Sequence, residues 1–316
     1  MKYLFRLFTA FTISISLMVG AYAENDIPYL LTASAKGDVK EVSALLATGS
    51  NPNVRDIDGL TPLMYAARKD KAPVVKLLLD KGADPNLVDN SGWTALMFAA
   101  KKNYLNTAKV LLAQGADAKL RDVSGWSALG LAASSGFAEF VSLLVDSGMD
   151  VNSLSDDGKT ILMFASKNGD RATIQSLIAH NANLHAKDKL EGTALMYAAR
   201  SGKTGACEEL LQAGARLEDA DNAGWTALSW AVRKKQLETV KFLISKGAKI
   251  EVVDNTGTYL LHMAVANNDD AMVKLLIDSG ADVNVKDQYS LTPLVYALKN
   301  RRTSIVDMLK KSGGSY

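Results

Sequence analysis

The sequence predicts an all-α fold of the α-solenoid class, in which about nine helix-turn-helix repeats stack and short β-hairpin turns project from the helices. A pattern recurs every 33 residues without an insertion, each window holds two apolar segments of helix length, and one leucine never varies. Self-similarity at such a period indicates units that cannot bury their own apolar side and therefore stack on their neighbours. The invariant leucine is eighth in its window, at Leu63, Leu96, Leu129, Leu162, Leu195, Leu228, Leu261 and Leu294.

The first helix of each window is predicted to begin at a capping residue. In the window that opens at Asp56, Thr61 can accept a hydrogen bond from a free backbone N–H of the first turn. Pro62 suits the first helical position, where a backbone N–H has no helical partner. Pairs of small residues such as Ala66-Ala67 follow, and they allow neighbouring helices to approach closely.

A second apolar helix follows in each window and is predicted to end at a glycine such as Gly82, where a left-handed residue is favoured. Asn181 takes this position in one internal window, and asparagine tolerates the left-handed conformation. A projecting turn with an Asp-x-x-Gly segment, such as Asp89 to Gly92, comes next. The aspartates that open most windows are interpreted as turn-stabilising residues rather than calcium ligands, because aspartate readily bonds its own following backbone.

The windows predict a single repeat domain over residues 24–316. A degenerate cap repeat covers 24–55, and a C-terminal cap repeat covers 287–316. In the C-terminal repeat Lys310 and Lys311 replace an apolar pair, which makes the outer surface polar. The repeats between these caps span 56–88, 89–121, 122–154, 155–187, 188–220, 221–253 and 254–286.

The first 23 residues are typical of a secretory signal peptide. Lys2 and Arg6 precede an uncharged stretch from Leu7 to Gly20, and small residues flank Tyr22 just before a polar segment. We expect cleavage after Ala23, export to the periplasm or beyond, and no stable membrane insertion afterwards, since the apolar stretch is shorter than the roughly 20 residues that span a bilayer. An uncleaved anchor helix is the alternative.

The Thr-Pro-Leu, Ala-Ala, Leu-Leu and Gly-Ala-Asp-x-Asn elements at this period resemble an ankyrin-repeat protein, and the resemblance covers about residues 24–314. One departure is the residue after the invariant leucine, where the family usually has a histidine that ties repeats together. This chain keeps it only at His262. Methionines occupy four other windows, and we expect their flexible thioethers to pack in place of the histidine. They are Met64, Met97, Met163 and Met196.

Composition and motifs exclude several function classes. The chain has 48% hydrophobic and 22% charged residues, and without Lys2 and Arg6 its 34 basic residues balance 34 acidic ones. This neutrality is unlike a nucleic-acid binder. No catalytic or phosphate-binding motif is present, so the chain is predicted not to be an enzyme and to use no cofactor. Cys207 and His262 are interpreted as structural residues. A metal pair at His180 and His185 is a weaker alternative, because their spacing matches no known ligand motif.

Two sets of residues are candidates for partner binding. The resemblance implies that partners dock on a concave side formed by first helices and turns, which the thirteenth position of each window should face. This position is basic at Arg68, Lys101, Lys167, Arg200, Arg233 and Lys299, while Ser134 and Ala266 fill the other two windows. The fifth position holds tryptophan, a residue common in binding hot spots, at Trp93, Trp126 and Trp225. The alternatives are solvation for the cations and packing between repeats for the tryptophans.

These observations favour a non-enzymatic, exported scaffold that binds another protein with an acidic surface through its concave side. Two alternatives remain: an envelope-associated binder of anionic polymer, and a secreted effector that binds a host protein. An enzyme with its site built on the scaffold would need a cluster of nucleophile, base and orienting group, and the sequence shows no such cluster.

Overall fold

The computed structural model describes residues 28–316, in two compact units that divide between Asp122 and Val123. The predicted signal peptide and the cleavage point after Ala23 lie outside the described residues. Residues 28–316 form 18 helices and no strand, which confirms the all-α prediction of about nine helix-turn-helix units. No helix within this range is long and apolar enough to cross a membrane.

The first unit contains three helix pairs in its described part. Within each pair the first helix precedes a short loop and the second helix. The helices are α1 (Tyr29–Lys36), α2 (Val39–Ala47), α3 (Pro62–Ala67), α4 (Ala72–Asp80), α5 (Ala95–Lys102) and α6 (Leu105–Ala113).

The second unit contains six pairs of the same kind. They are α7 (Ala128–Ser135) and α8 (Ala138–Asp146), α9 (Ile161–Asn168) and α10 (Arg171–Ala179), α11 (Ala194–Arg200) and α12 (Thr204–Gln212), α13 (Ala227–Arg233) and α14 (Leu237–Ser245), α15 (Leu260–Ala266) and α16 (Asp270–Asp278), and α17 (Pro293–Lys299) and α18 (Thr303–Lys311).

Most first helices begin where the sequence predicts. The Thr61 hydroxyl accepts the backbone N–H of Met64, and the same bond forms at five other windows, which satisfies one of the free N–H groups of the first turn. Tyr259 and Thr292 make no such bond. The Thr292 hydroxyl instead donates to the backbone carbonyl of Ser315, so it fixes the C-terminal tail on the last repeat.

The turn before each first helix is built on its opening aspartate. In the window from Asp56, one carboxylate oxygen accepts the backbone N–H groups of Asp58 at 3.0 Å and of Leu60 at 2.8 Å. Equivalent pairs of bonds form at Asp89, Asp188, Asp221, Asp254 and Asp287. These bonds match the turn-stabilising role expected for the aspartates. In residues 28–316 the projecting turns contain no extended strand, and β pairing in them is limited to isolated bridges, such as the antiparallel ones between Leu154 and Thr160 and between Val253 and Tyr259.

Neighbouring windows within a unit are held by small residues and by asparagines. First helices of consecutive windows pack on one another, and the alanines between them, such as Ala66 and Ala199, are fully buried. An asparagine bridges two windows where it is present. The Asn152 amide donates to the Asn181 carbonyl at 3.3 Å, and its oxygen accepts the Asn183 N–H at 2.8 Å.

Candidate protein-binding surface

The cations of the thirteenth position lie at the C-terminal ends of the first helices and are exposed to solvent. The surface around them, formed by these helix ends and the preceding turns, is called the first-helix surface below, and each unit is taken separately. Arg68 and Lys101 belong to the first unit. Lys167, Arg200, Arg233 and Lys299 belong to the second, where Ser134 is half-buried and Ala266 is exposed.

None of these six cations forms an ion pair within residues 28–316. Some lysines of the second helices are paired: Lys76 contacts Asp80 at 2.7 Å and Lys274 contacts Asp278 at 2.9 Å, one turn further along the same helix. Such i, i+4 pairs satisfy a surface charge locally. The first-helix surface therefore carries positive charge that no acidic side chain of the described part neutralises.

Four tenth-position aromatic residues are fixed by the opening aspartate of their own window, while Phe98 and Phe164 have no polar group to bond it. The Tyr197 hydroxyl donates to the Asp188 carboxylate at 2.6 Å, and Trp230 donates its indole N–H to Asp221 at 2.9 Å. Tyr65 and Tyr296 make the same bond to Asp56 and Asp287. The second oxygen of each aspartate is thus used by an aromatic side chain, which ties the turn to the first helix.

These bonds also shift the acidity of the tyrosines. The hydrogen bond to Asp287, aided by burial, raises the pKa of Tyr296 to about 12. Burial and the bond to Asp188 raise the pKa of Tyr197 even further. Both hydroxyls therefore remain protonated donors at any physiological pH, so they act as structural anchors rather than as bases.

All three arginines among the six cations lie over aromatic rings. The guanidinium carbon of Arg200 lies 4.5 Å from the ring centre of Trp230, and that of Arg68 lies 5.2 Å from Phe98 and 5.8 Å from Tyr65. Arg233 lies 5.8 Å from a ring of Trp225. Cations within about 6 Å of a ring centre are attracted by its electrons. Among the described residues, Lys101, Lys167 and Lys299 make no such contact.

The three fifth-position tryptophans are half-buried. Trp93 packs on Phe98 with ring centres 5.1 Å apart, and Trp126 packs on Phe164 at 4.6 Å. Trp225 meets Trp230 edge to face at 4.7 Å and donates its N–H to Asp254 of the next window at 3.0 Å. Each tryptophan thus has a packing partner and keeps part of its ring accessible.

Exposed apolar side chains at the tips of the turns were not predicted from the sequence. Ile57 is 92% exposed, while Leu190 and Tyr289 are each 70% exposed. Ile57 lies inside an Asp-x-x-Gly segment, whereas Leu190 and Tyr289 lie in turns where Glu191 and Ser290 take the left-handed position of the glycine. In the second unit, Leu190 lines a shallow pocket whose other walls are Gly192, Met196, Tyr197, Arg200, Asp221 and Trp230.

The remaining chemically capable residues are held in structural positions. Cys207 is fully buried, and burial raises the pKa of its thiol to about 12, so the thiolate is not available as a nucleophile. His180 contacts the Ser176 carbonyl at 2.7 Å and an oxygen of Asp146 at 3.3 Å. Within residues 28–316 no group of three histidine, cysteine or acidic side chains is arranged to hold a metal ion.

Comparison with known families agrees with this architecture. The family model described as ankyrin repeats in three copies matches residues 30–122, 112–188, 162–254 and 248–316. No curated protein matches the chain. Ankyrin repeats generally serve as protein-binding scaffolds, and they are typically not enzymes. The matches together span nearly all of the described residues, and the chain belongs to the ankyrin-repeat family.

Proposed function

We propose that this chain is a non-enzymatic scaffold that binds another protein, with an acidic surface, through its first-helix surface. The observation that carries the proposal is the set of six exposed cations at one position of the repeat. None of the six has an acidic partner within residues 28–316, whereas Lys76 and Lys274, at other positions of the repeat, pair within their own helix. Unpaired surface charge of one sign speeds the encounter with a partner of the opposite sign and sets its orientation.

Aromatic residues supply the second part of this interface. Trp93, Trp126 and Trp225 are each held by a packing partner and remain partly accessible, and Trp225 lies 5.8 Å from Arg233. A ring that is already immobilised loses little conformational entropy when a partner covers it. Affinity then comes from these rings, and the cations contribute orientation and association rate.

A charge-reversal experiment tests the proposal. The variant Lys167→Glu/Arg200→Glu/Arg233→Glu changes three cations of the first-helix surface in the second unit. Its matched control, Lys241→Glu/Lys274→Glu/Lys310→Glu, makes the same change of net charge on second helices. After crosslinking in cells, we expect the first variant to lose the partner protein that the wild type and the control retain.

Two outcomes contradict this proposal. Equal capture by all three proteins shows that the first-helix cations do not bind the partner. Retention of purified anionic envelope polymer by the wild type in the absence of protein, lost in the first variant, supports the polymer-binding alternative instead.

Export to the periplasm or the medium forms part of the same proposal and rests on the signal-like pattern of residues 1–23. The expected mature protein begins at Glu24. N-terminal sequencing of the protein from fractionated cells checks this, and Ala21→Leu/Ala23→Leu should block cleavage, because the peptidase accepts only small side chains there. Recovery of the wild type in the cytoplasm with Met1 intact contradicts it.

A further inference from the structure

We propose that the chain holds two copies of one carboxylate-binding site and that each copy binds an acidic side chain of the partner protein. The first arginine site consists of Arg68, Tyr65, Phe98 and Trp93. The second arginine site consists of Arg200, Tyr197, Trp230 and Trp225. This inference rests on the proposed function and adds to it the number of sites, their residues and the chemistry that they recognise.

The two sites occupy equivalent positions of the repeat and share two ring contacts. Arg68 also lies over Tyr65 of its own window, a contact that Arg200 does not make with Tyr197 in the described residues. Each residue of the second site follows its counterpart by four windows of 33 residues. In both sites the arginine lies over an aromatic ring of the next window, at 5.2 Å in the first and 4.5 Å in the second. In both, a tryptophan packs on that ring from the preceding turn, at 5.1 Å and 4.7 Å. The same two contacts, arginine over ring and tryptophan on ring, therefore recur in both sites.

Other windows lack this combination. Lys101 and Lys167 occupy the thirteenth position without a ring in contact among residues 28–316, and Ser134 has no charge. Arg233 contacts the ring of Trp225, which belongs to its own window, and the next window has Met263 at the tenth position. The arginine sites thus differ from a uniform row of solvated cations.

The side-chain N–H groups of both arginines are available to a ligand. Neither Arg68 nor Arg200 donates a side-chain hydrogen bond within residues 28–316, and a guanidinium can bind a carboxylate in a planar, two-bond arrangement. In the second site, the opening aspartate is engaged by its own turn and first helix. Asp188 already accepts the N–H groups of Leu190 and Gly192 and the Tyr197 hydroxyl. Neither arginine has an ion pair in the described part of the chain.

Exposed apolar residues near the arginines indicate which group should accompany the acidic side chain in the ligand. Leu190 lines the same pocket as Arg200 and is 70% exposed. Ile57, 92% exposed, is in the turn of the window that holds Arg68. A ligand with an acidic residue beside a large apolar residue matches this combination. A polyphosphate backbone matches it less well, because it offers no large apolar group and carries repeated negative charge beside the carboxylates of Asp188 and Asp221.

Indole N–H signals in NMR spectra test the two sites separately. The probe is a short synthetic peptide of alternating glutamate and leucine, and its glutamine-for-glutamate version is the control. In the wild type, we expect the peptide to shift the signals of Trp93 and Trp230 while Trp126 changes little, with a stoichiometry of two peptides per chain. The glutamine version should shift none of them.

Substitution of each arginine should remove one site only. Arg68→Ala should weaken binding at Trp93 about tenfold or more and leave Trp230 unchanged, and Arg200→Ala should do the reverse. The corresponding lysine variants should also bind more weakly, because an ammonium lacks the two-bond edge. Lys101→Ala and Lys167→Ala are the matched controls and should retain both sites.

Several outcomes overturn the inference. They are no peptide binding by the wild type at about 1 mM, equal binding by Arg68→Ala/Arg200→Ala, or preference of both sites for a short oligothymidylate over the peptide. Crosslinking of the same double variant separates this inference from the proposed function. If it still captures the partner while the charge-reversal variant does not, the two-site inference fails and the proposed function stands.

Discussion

The residue after the invariant leucine contributes to the anchoring of the first helix in several windows. The Met64 sulfur accepts the Thr61 N–H at 3.5 Å, and the Ser229 hydroxyl accepts the Thr226 N–H at 3.2 Å. We expected the methionines to replace the family's histidine by packing, and the structure adds a weak acceptor role for the thioether. His262 instead contacts the backbone carbonyl of Leu291 in the next window at 3.0 Å.

His262 should make stability depend on pH. Since a carbonyl only accepts, the proton is on Nε2, and the buried Nδ1 has no hydrogen-bond partner in residues 28–316. Burial lowers the pKa of His262, although the Leu291 carbonyl and Asp287 oppose this effect. The unfolded chain therefore binds a proton more readily near pH 6, so the free energy of unfolding falls as the pH drops below about 6.5.

The substitution His262→Met isolates this effect, because methionine occupies the same position in four other windows. We expect the wild type to lose more thermal stability than His262→Met between pH 7.5 and pH 5.5. Thermal melts followed by circular dichroism at both pH values provide the measurement. Identical losses in the two proteins would show that His262 does not titrate in this range.

Ser166 is a second residue whose hydrogen bonding could not be predicted from the sequence. Its hydroxyl is fully buried with no hydrogen-bond partner in the described part of the chain, and alanine stands at the same position in windows with Ala67 and Ala199. Ser166→Ala should therefore raise the free energy of unfolding by about 1 kcal/mol, since it removes an unpaired polar group. Ser34→Ala is the control, because the Ser34 hydroxyl donates to the Leu30 carbonyl at 2.6 Å. Urea titration that finds Ser166→Ala destabilising contradicts this interpretation.

At the scale of the element, each turn and its first helix form one unit through the opening aspartate. Tyr197→Phe removes the only side-chain donor to Oδ2 of the buried Asp188 within residues 28–316 and should cost about 1 kcal/mol of stability. The solvent-exposed Tyr289 provides the control variant Tyr289→Phe, which should change little. Chemical unfolding of both variants measures the difference. Equal stability of the two would mean that water replaces the lost donor.

Helix boundaries were predictable because their signals are local. Thr61 and Pro62 specify the start of α3, and Gly82 has the left-handed φ of 86° expected after α4. Contacts between windows were less predictable. Trp225 donates to Asp254 because Met263 at the tenth position of the next window offers that aspartate no donor, and this depends on two windows being stacked. The sequence likewise places six cations on the first helices, but it does not distinguish those that rest on rings from those that do not.

At the scale of the whole molecule, each window within a unit packs only on its neighbours, so a destabilising substitution should affect only the adjacent windows. Asn284 links the last two windows, because its amide donates to the Gly313 carbonyl at 3.1 Å and its oxygen accepts the Ser315 N–H at 2.8 Å. Asn284→Ala breaks both bonds at an end of the array, where only one neighbour remains to hold α18.

Hydrogen exchange should therefore report a change confined to this end. We expect Asn284→Ala to speed amide exchange in α18, with no change in α9 to α14, because fraying of a terminal repeat leaves the inner interfaces intact. Asn152→Ala, which breaks the equivalent bonds between inner windows, should instead affect both flanking repeats. A uniform rise in exchange across the second unit after Asn284→Ala would mean that this unit unfolds as one cooperative block, and the nearest-neighbour description of its stability would then be wrong.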